Sequence, residues 1–149
     1  MNIELKNVKH SEFASHETPC FQASVYIGGK RAFQVSNDGQ GGCHFYHPFD
    51  QVGKTLFKQA FEYAQNLPKR KYEEFGGFEV NMDLDMIIND LFGEWQENQT
   101  LKKWCKTHTV LKDDGGYFLV DHPYSDAVKK YVSEKHPMAT IINERFLTN

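Results

Sequence analysis

Cys20-Phe21-Gln22-Ala23-Ser24-Val25-Tyr26-Ile27-Gly28-Gly29-Lys30-Arg31-Ala32-Phe33-Gln34-Val35 is the stretch on which the fold turns. From Cys20 to Ile27 apolar and polar residues alternate. Phe21, Ala23, Val25 and Ile27 share one face, and Gln22 and Ser24 the other, which is the period of a half-buried strand. Gly28-Gly29 supplies a two-residue turn. Phe33 and Val35 then fall on one face of a returning strand over Lys30 to Val35. The connection is too short for a parallel crossover, so these strands are antiparallel.

Upstream, Ile3 to Val8 alternates in part and reads as a further strand, while Ser11 to Pro19 is polar and reads as a loop. The three strands form an antiparallel meander. Downstream, Pro48 and Asp50 open a helix with the stripe Val52, Leu56, Ala60, Tyr63, Ala64 and Leu67, and Pro68 stops it. Lys69 to Val80, with Phe75 and Phe78 around Gly76-Gly77, reads as a loop or a short strand. Asn81 or Asp83 can cap a second helix with the stripe Leu84, Ile87, Ile88, Leu91, Phe92 and Trp95. Gly93 weakens its end, and Gln96 to Thr100 is expected to break it. Thr107 to Lys112 and Tyr117 to Val120 make a second hairpin around Asp113-Asp114-Gly115-Gly116. Pro123 suits the first turn of a last helix, with Tyr124, Ala127, Val128, Tyr131 and Val132 on its apolar face. Ala139 to Ile142 adds a short strand. Hairpins alternating with isolated helices give a single α+β domain over residues 1–149: a β-meander, two helices, a second hairpin, then a C-terminal helix and strand.

Composition narrows the function. The chain has 149 residues, a net charge of −3, 40% hydrophobic and 25% charged residues, and 12 Phe with 7 Tyr. This is a globular chain with an aromatic-rich core. The charge has the wrong sign for a general phosphate-backbone binder, so nucleic acid is not the expected partner. Three Cys, none in a CxxC pair, argue against a disulfide scaffold and for reduced thiols in a cytoplasm. There is no signal-peptide pattern and no apolar run near the ~18 residues a membrane span needs. The sequence leaves monomer and homodimer open.

Between the meander and the first helix lies Ser36-Asn37-Asp38-Gly39-Gln40-Gly41-Gly42-Cys43-His44-Phe45-Tyr46-His47, twelve residues with three Gly, one Cys and two His. Such density points to a shaped loop. Three chemistries can be read into it. As a metal site, Cys43, His44 and His47 are the candidate ligands, with Cys20 and His16 as a second pair and zinc as the ion, though no established zinc spacing is matched. As an enzyme, Cys43 would be the nucleophile, with its thiol activated at a helix start and His47 or His122 as base; neighbouring residues seldom face each other, so Cys43-His44 alone is no dyad. As a phosphate cradle the order strand, glycine loop, helix is right, but Asp38 is acidic and no Lys-Ser/Thr follows the glycines. Gly53-Lys54-Thr55 copies the tail of a nucleotide-binding loop but sits inside a helix pattern, with Pro48 where the first Gly belongs. The carboxylate pairs are explained by turns and by capping, Asp83 and Asp85 lying where they offset a helix dipole. The remaining reading is recognition: Asn37, Asp38, Gly39, Gly41, Gly42, Phe45 and Tyr46 form a contact surface, since rings on loops make interface anchors.

Ile3-Glu4-Leu5-Lys6-Asn7-Val8-Lys9, Glu17-Thr18-x-Cys20-Phe21, Val25-Tyr26-Ile27-Gly28-Gly29-Lys30 and Val35-Ser36-Asn37-Asp38-Gly39-x-Gly41-Gly42-Cys43 resemble small uncharacterised proteins encoded by phages and prophages of Gram-negative bacteria. The resemblance covers the first third of the chain. It brings no activity and no catalytic residues. It implies a small accessory protein acting on a host or defence component. The sequence thus leads to a binding protein without catalysis of its own, an anti-defence inhibitor of anti-CRISPR-like kind that engages a host protein. The alternative is a metal- or small-ligand-binding protein, or an enzyme, built on the Cys/His loop 36–47.

Overall fold

The Gly28-Gly29 turn closes as the alternation predicts. In the computed structural model, which describes residues 1–147, both glycines have positive φ, 56° and 80°. That is the hairpin turn whose twist matches its strands. Ile27 pairs with Lys30 across it. The hairpin strands are β2 (Cys20–Ile27) and β3 (Lys30–Asp38), flanked by β1 (Ile3–Ser11) and β4 (Phe45–Pro48). All four pair antiparallel in the order β1-β2-β3-β4. The protein is α+β, with the meander at its start.

Two irregularities shape this sheet. Between Lys6 and Lys9 the β1 register shifts, where Asn7 takes a left-handed φ of 54°, and such a bulge guards an edge strand against foreign pairing. Between Val25 and Tyr26 the β2–β3 register also shifts, leaving Ala32 as the extra residue. Its carbonyl accepts the backbone N–H of Phe49 at 3.1 Å.

Helix α1 (Gln51–Gln65) starts at Asp50, whose carboxylate accepts the Gly53 N–H at 2.7 Å. The buried face of α1 is Gly53, Ala60 and Ala64. Val52, placed on the stripe by the sequence, faces solvent, and the position it was given belongs to Gly53. A Cβ on Gly53 would stand 2.1 Å from the Ala32 carbonyl oxygen, so only glycine lets helix and strand approach this closely. Helix α2 (Leu84–Cys105) is capped by Asp83, whose carboxylate accepts the Met86 N–H at 2.8 Å. Between the helices a hairpin of β5 (Arg70–Tyr72) and β6 (Phe78–Val80) encloses a 3₁₀ turn, Glu73–Phe75.

The chain divides into two compact units, Met1–Phe92 and the residues from Gly93 onward. In the first unit Phe21, Ala23, Val25, Ile27, Phe33 and Val35 are buried, as are Leu84, Ile88 and Phe92. Phe21 stacks on Phe92 at 4.4 Å. In the second unit β7 (Thr109–Asp113) lies between β8 (Gly116–Val120) and β9 (Thr140–Ile141). Helix α3 (Asp126–Lys135) and a 3₁₀ helix, Ile142–Phe146, complete it. Its core includes Leu101, Val110 and Ile142.

Three expectations are corrected. Helix α2 does not break at Gln96 to Thr100 but runs on to Cys105. Glu and Gln are good helix formers and no proline intervenes, so that polar run interrupts the apolar stripe and not the helix. Pro123 lies ahead of α3, which begins at Asp126 behind the Ser125 cap. Phe45 to His47 are not loop but the fourth strand, and the glycine loop therefore leads into β4 and not into a helix. No helix among the described residues is long and apolar enough to cross a membrane.

Candidate functional site

With β4 recognised as a strand, the glycine loop shrinks to residues 39–44, between the ends of β3 and β4. Its organiser is Asn37, only 3% exposed. The Asn37 Oδ1 accepts the backbone N–H of Gly39 at 2.9 Å and the Thr18 hydroxyl at 2.6 Å. The Gly39 N–H can only donate, which fixes the amide orientation. The Asn37 Nδ2 then donates to the Gly42 carbonyl at 3.3 Å and to His44 Nδ1 at 3.1 Å. His44 Nδ1 is thereby an acceptor, so the proton sits on Nε2, which donates to Asn89 Oδ1 at 2.8 Å. One buried amide sets the tautomer of the histidine beside it.

Gly39 makes the second anchor. Its φ is +83°, and a Cβ there would lie 2.2 Å from the Ala14 carbonyl oxygen and 2.9 Å from Cys20 Cβ. Its own carbonyl accepts the N–H groups of His16, Glu17 and Thr18 at 3.0 to 3.4 Å. Thr18 Oγ1 in turn accepts the Gly41 N–H at 3.3 Å. The polar segment before β2 is thus clamped onto the glycine loop.

On the other side stands α2. Asp85 accepts the His44 backbone N–H at 2.9 Å with Oδ2 and the Tyr46 hydroxyl with Oδ1. The Tyr46 ring packs on Phe33 at 5.8 Å and on Phe57 at 5.3 Å. Burial first, then the Asp85 hydrogen bond and the charges of Asp85, Asp83 and Cys43, push the Tyr46 phenol well above its ordinary range. It is a fixed hydrogen-bond donor at any neutral pH.

The structure sorts the sequence candidates accordingly. Asn37 and Gly39 are buried and hold the loop, while Asp38, Gly42 and Phe45 are exposed. Tyr46 is half-buried and tied to Asp85, so it serves the frame of the loop and not its surface. Cys43 is exposed, and His47 is exposed on the face of β4 opposite Tyr46. His44 has both ring nitrogens committed to amides. Among the described residues no group of three or more His, Cys, Asp and Glu is placed to hold a metal ion. Cys43 is followed in the chain by β4 and not by the helix that the sequence placed there.

Sequence reasoning missed Thr18, Asp85 and Asn89. Asp85 was assigned to the helix dipole alone. The i, i+4 spacing of Asp85 and Asn89 beside the stripe of Leu84, Ile88 and Phe92 was the available signal that one polar flank of α2 faces protein. It also missed Phe13, which follows the end of β1 and is 94% exposed. Phe45, 57% exposed, lies in one row with Ser36, Gln22 and Lys9 across the outer face of the sheet. Both rings therefore stand at the glycine-loop end of the sheet. Compared with protein-family models, with curated proteins and with solved structures, the chain matches none.

Proposed function

We propose that the protein is a binding protein without catalysis of its own, which docks the glycine-loop end of its first sheet onto a host macromolecule. The observation that carries this is a loop held from within by Asn37, Gly39 and Asp85 while Phe13 and Phe45 project from the same end of the sheet. A surface already ordered pays little entropy on binding, and exposed rings supply the anchors. The His44 ring and the Tyr46 hydroxyl are engaged in holding this frame. The resemblance of the first third to phage and prophage proteins makes a host protein, and within that class a defence component, the partner to test first. The action is then inhibition by occupancy.

The experiment compares wild type with Phe13→Ser/Phe45→Ser as bait in host lysate. Both side chains are largely exposed, so the melting temperature should stay within about 2 °C. The double variant is expected to lose the partner that wild type captures. Capture of the same partner by both proteins in equal yield sinks this surface.

A further inference from the structure

The second unit carries a cavity of about 720 Å³ that the loop surface does not explain. Lys102, Lys106 and Arg145 line it, with Pro123, Tyr124 and Phe146 as apolar wall. Among the described residues no carboxylate lines it. Among the described residues none of the three cations makes an ion pair. The neighbouring carboxylate, Glu144, is engaged elsewhere. It accepts the Tyr124 hydroxyl at 2.7 Å and the Lys129 ammonium at 3.1 Å.

Two features argue against a merely solvated patch. First, the cations come from separate elements held in register. Asn98, Lys102 and Lys106 recur every four residues at the end of α2 and just beyond it, whereas Arg145 comes from the 3₁₀ helix. Asn143, 4% exposed, joins these parts. It donates to the carbonyls of His108 at 2.9 Å and Cys105 at 3.4 Å and accepts the Val110 N–H at 2.7 Å. Second, a lysine in the last turn of a helix is explained by the helix dipole. That accounts for Lys102 and for Lys103, which does not line the cavity. Arg145 also ends a helix, but that 3₁₀ helix has only five residues and aligns too few peptide dipoles to explain it.

We infer that this cavity binds a small organic phosphate, with Lys102, Lys106 and Arg145 on the phosphate oxygens and the Tyr124–Phe146 wall against a planar or apolar remainder. The volume falls in the range of small-ligand sites, and convergent cations without counter-charge favour an anion. Phe146 packs against the Leu101, Val110 and Ile142 core, so the wall is fixed in place. Lys102 Nζ lies 5.6 Å from the Phe146 ring centroid, in position to be drawn toward a phosphate beside that ring.

The test is titration calorimetry of the full chain with ADP, pyrophosphate and adenosine. ADP and pyrophosphate are expected to bind, with affinity falling as salt rises, and adenosine to bind far more weakly. Each of Lys102→Ala, Lys106→Ala and Arg145→Ala should weaken ADP binding about fivefold, as for one exposed charge pair. The triple variant, all of whose changes are at exposed positions, should melt like wild type and show no ADP heat. No binding of ADP or pyrophosphate overturns the inference. So does ADP binding unchanged in the triple variant, or adenosine binding as tightly as ADP. Tighter binding of a single-stranded oligonucleotide than of ADP would assign the cations to nucleic acid and also overturn it.

Discussion

Replacing Asn37 by Ala removes the side chain on which the glycine loop is strung. Four hydrogen bonds disappear: two accepted by Oδ1, from Thr18 and Gly39, and two donated by Nδ2, to Gly42 and His44. Each is worth about 1 kcal/mol net, so an upper figure is about 4 kcal/mol. The losses are unequal. Gly42 is exposed and His44 half-buried, so water can replace their bonds in part, whereas Gly39 is buried and its N–H is left unpaired. The expected cost is therefore about 2–4 kcal/mol, or roughly 6–12 °C in Tm for a chain of this size. Asn37→Asp is the discriminating companion. It keeps both Oδ1 bonds but turns a carboxylate oxygen toward the Gly42 carbonyl, so it should recover only part of the loss. Urea unfolding followed by circular dichroism gives the free-energy difference from the midpoint and slope. A change below about 0.5 kcal/mol for Asn37→Ala, the size of an ordinary surface substitution, would refute the idea that this amide organises the loop.

Two further outcomes follow from the same unit. Gly53→Ala should destabilise by more than about 2 kcal/mol, although Ala in a helix is normally favoured over Gly by about 1 kcal/mol; the added Cβ meets the Ala32 carbonyl oxygen at 2.1 Å, and stabilisation in a thermal melt would show that α1 does not pack there. Tyr46→Phe should cost about 1–2 kcal/mol at neutral pH, since Asp85 keeps the His44 N–H. Its alkaline profile is the sharper reading. The folded phenol titrates well above the unfolded one, so its contribution is complete below the ordinary tyrosine value of about 10 and falls as pH rises beyond it. Wild type should lose stability between about pH 10 and 11 more steeply than Tyr46→Phe in parallel urea titrations; equal slopes would contradict it.

What the sequence made legible was local. Gly28-Gly29 and Asp113 to Gly116 announce their hairpins because two-residue turns need φ > 0 or an Asx bond; Asp113 does accept the Gly115 N–H at 2.7 Å. Asp50 and Asp83 announce their helices as caps. Thr140–Ile141 appears where the β-branched run stood. β4 was hidden because it is four residues long, follows glycines and ends in Pro48, which is tolerated only at a strand edge or end. The segment read as loop or short strand holds both, as two three-residue strands around a 3₁₀ turn. Gly53-Lys54-Thr55 owes its glycine to the close approach of β3, which no sequence period records. At the site, Cys43, His44 and His47 drew attention by residue type, yet the organiser is Asn37, whose partner Thr18 lies 19 residues upstream. A long-range hydrogen bond leaves no local pattern.

Asp85 deserves a different account from the one its position suggests. In the first turn of α2 it is favoured by the helix dipole. Both its oxygens, however, reach the start of β4, one to the N–H of His44 just before the strand and one to the Tyr46 hydroxyl. β4 is the edge of its sheet, and an edge N–H left open invites pairing with another chain. Asp85 closes the His44 N–H just ahead of that edge, while Asn37 holds the same residue through its ring. The glycine loop is therefore fixed at both ends, by β3 and by α2, and its left-handed glycines are held in one conformation. For a partner that docks there, affinity comes from what the frame leaves outside, Phe13, Asp38 and Phe45, and changes at Asn37 or Asp85 act by loosening the surface. Variants of the first kind should change binding without changing stability, and variants of the second kind should change both together.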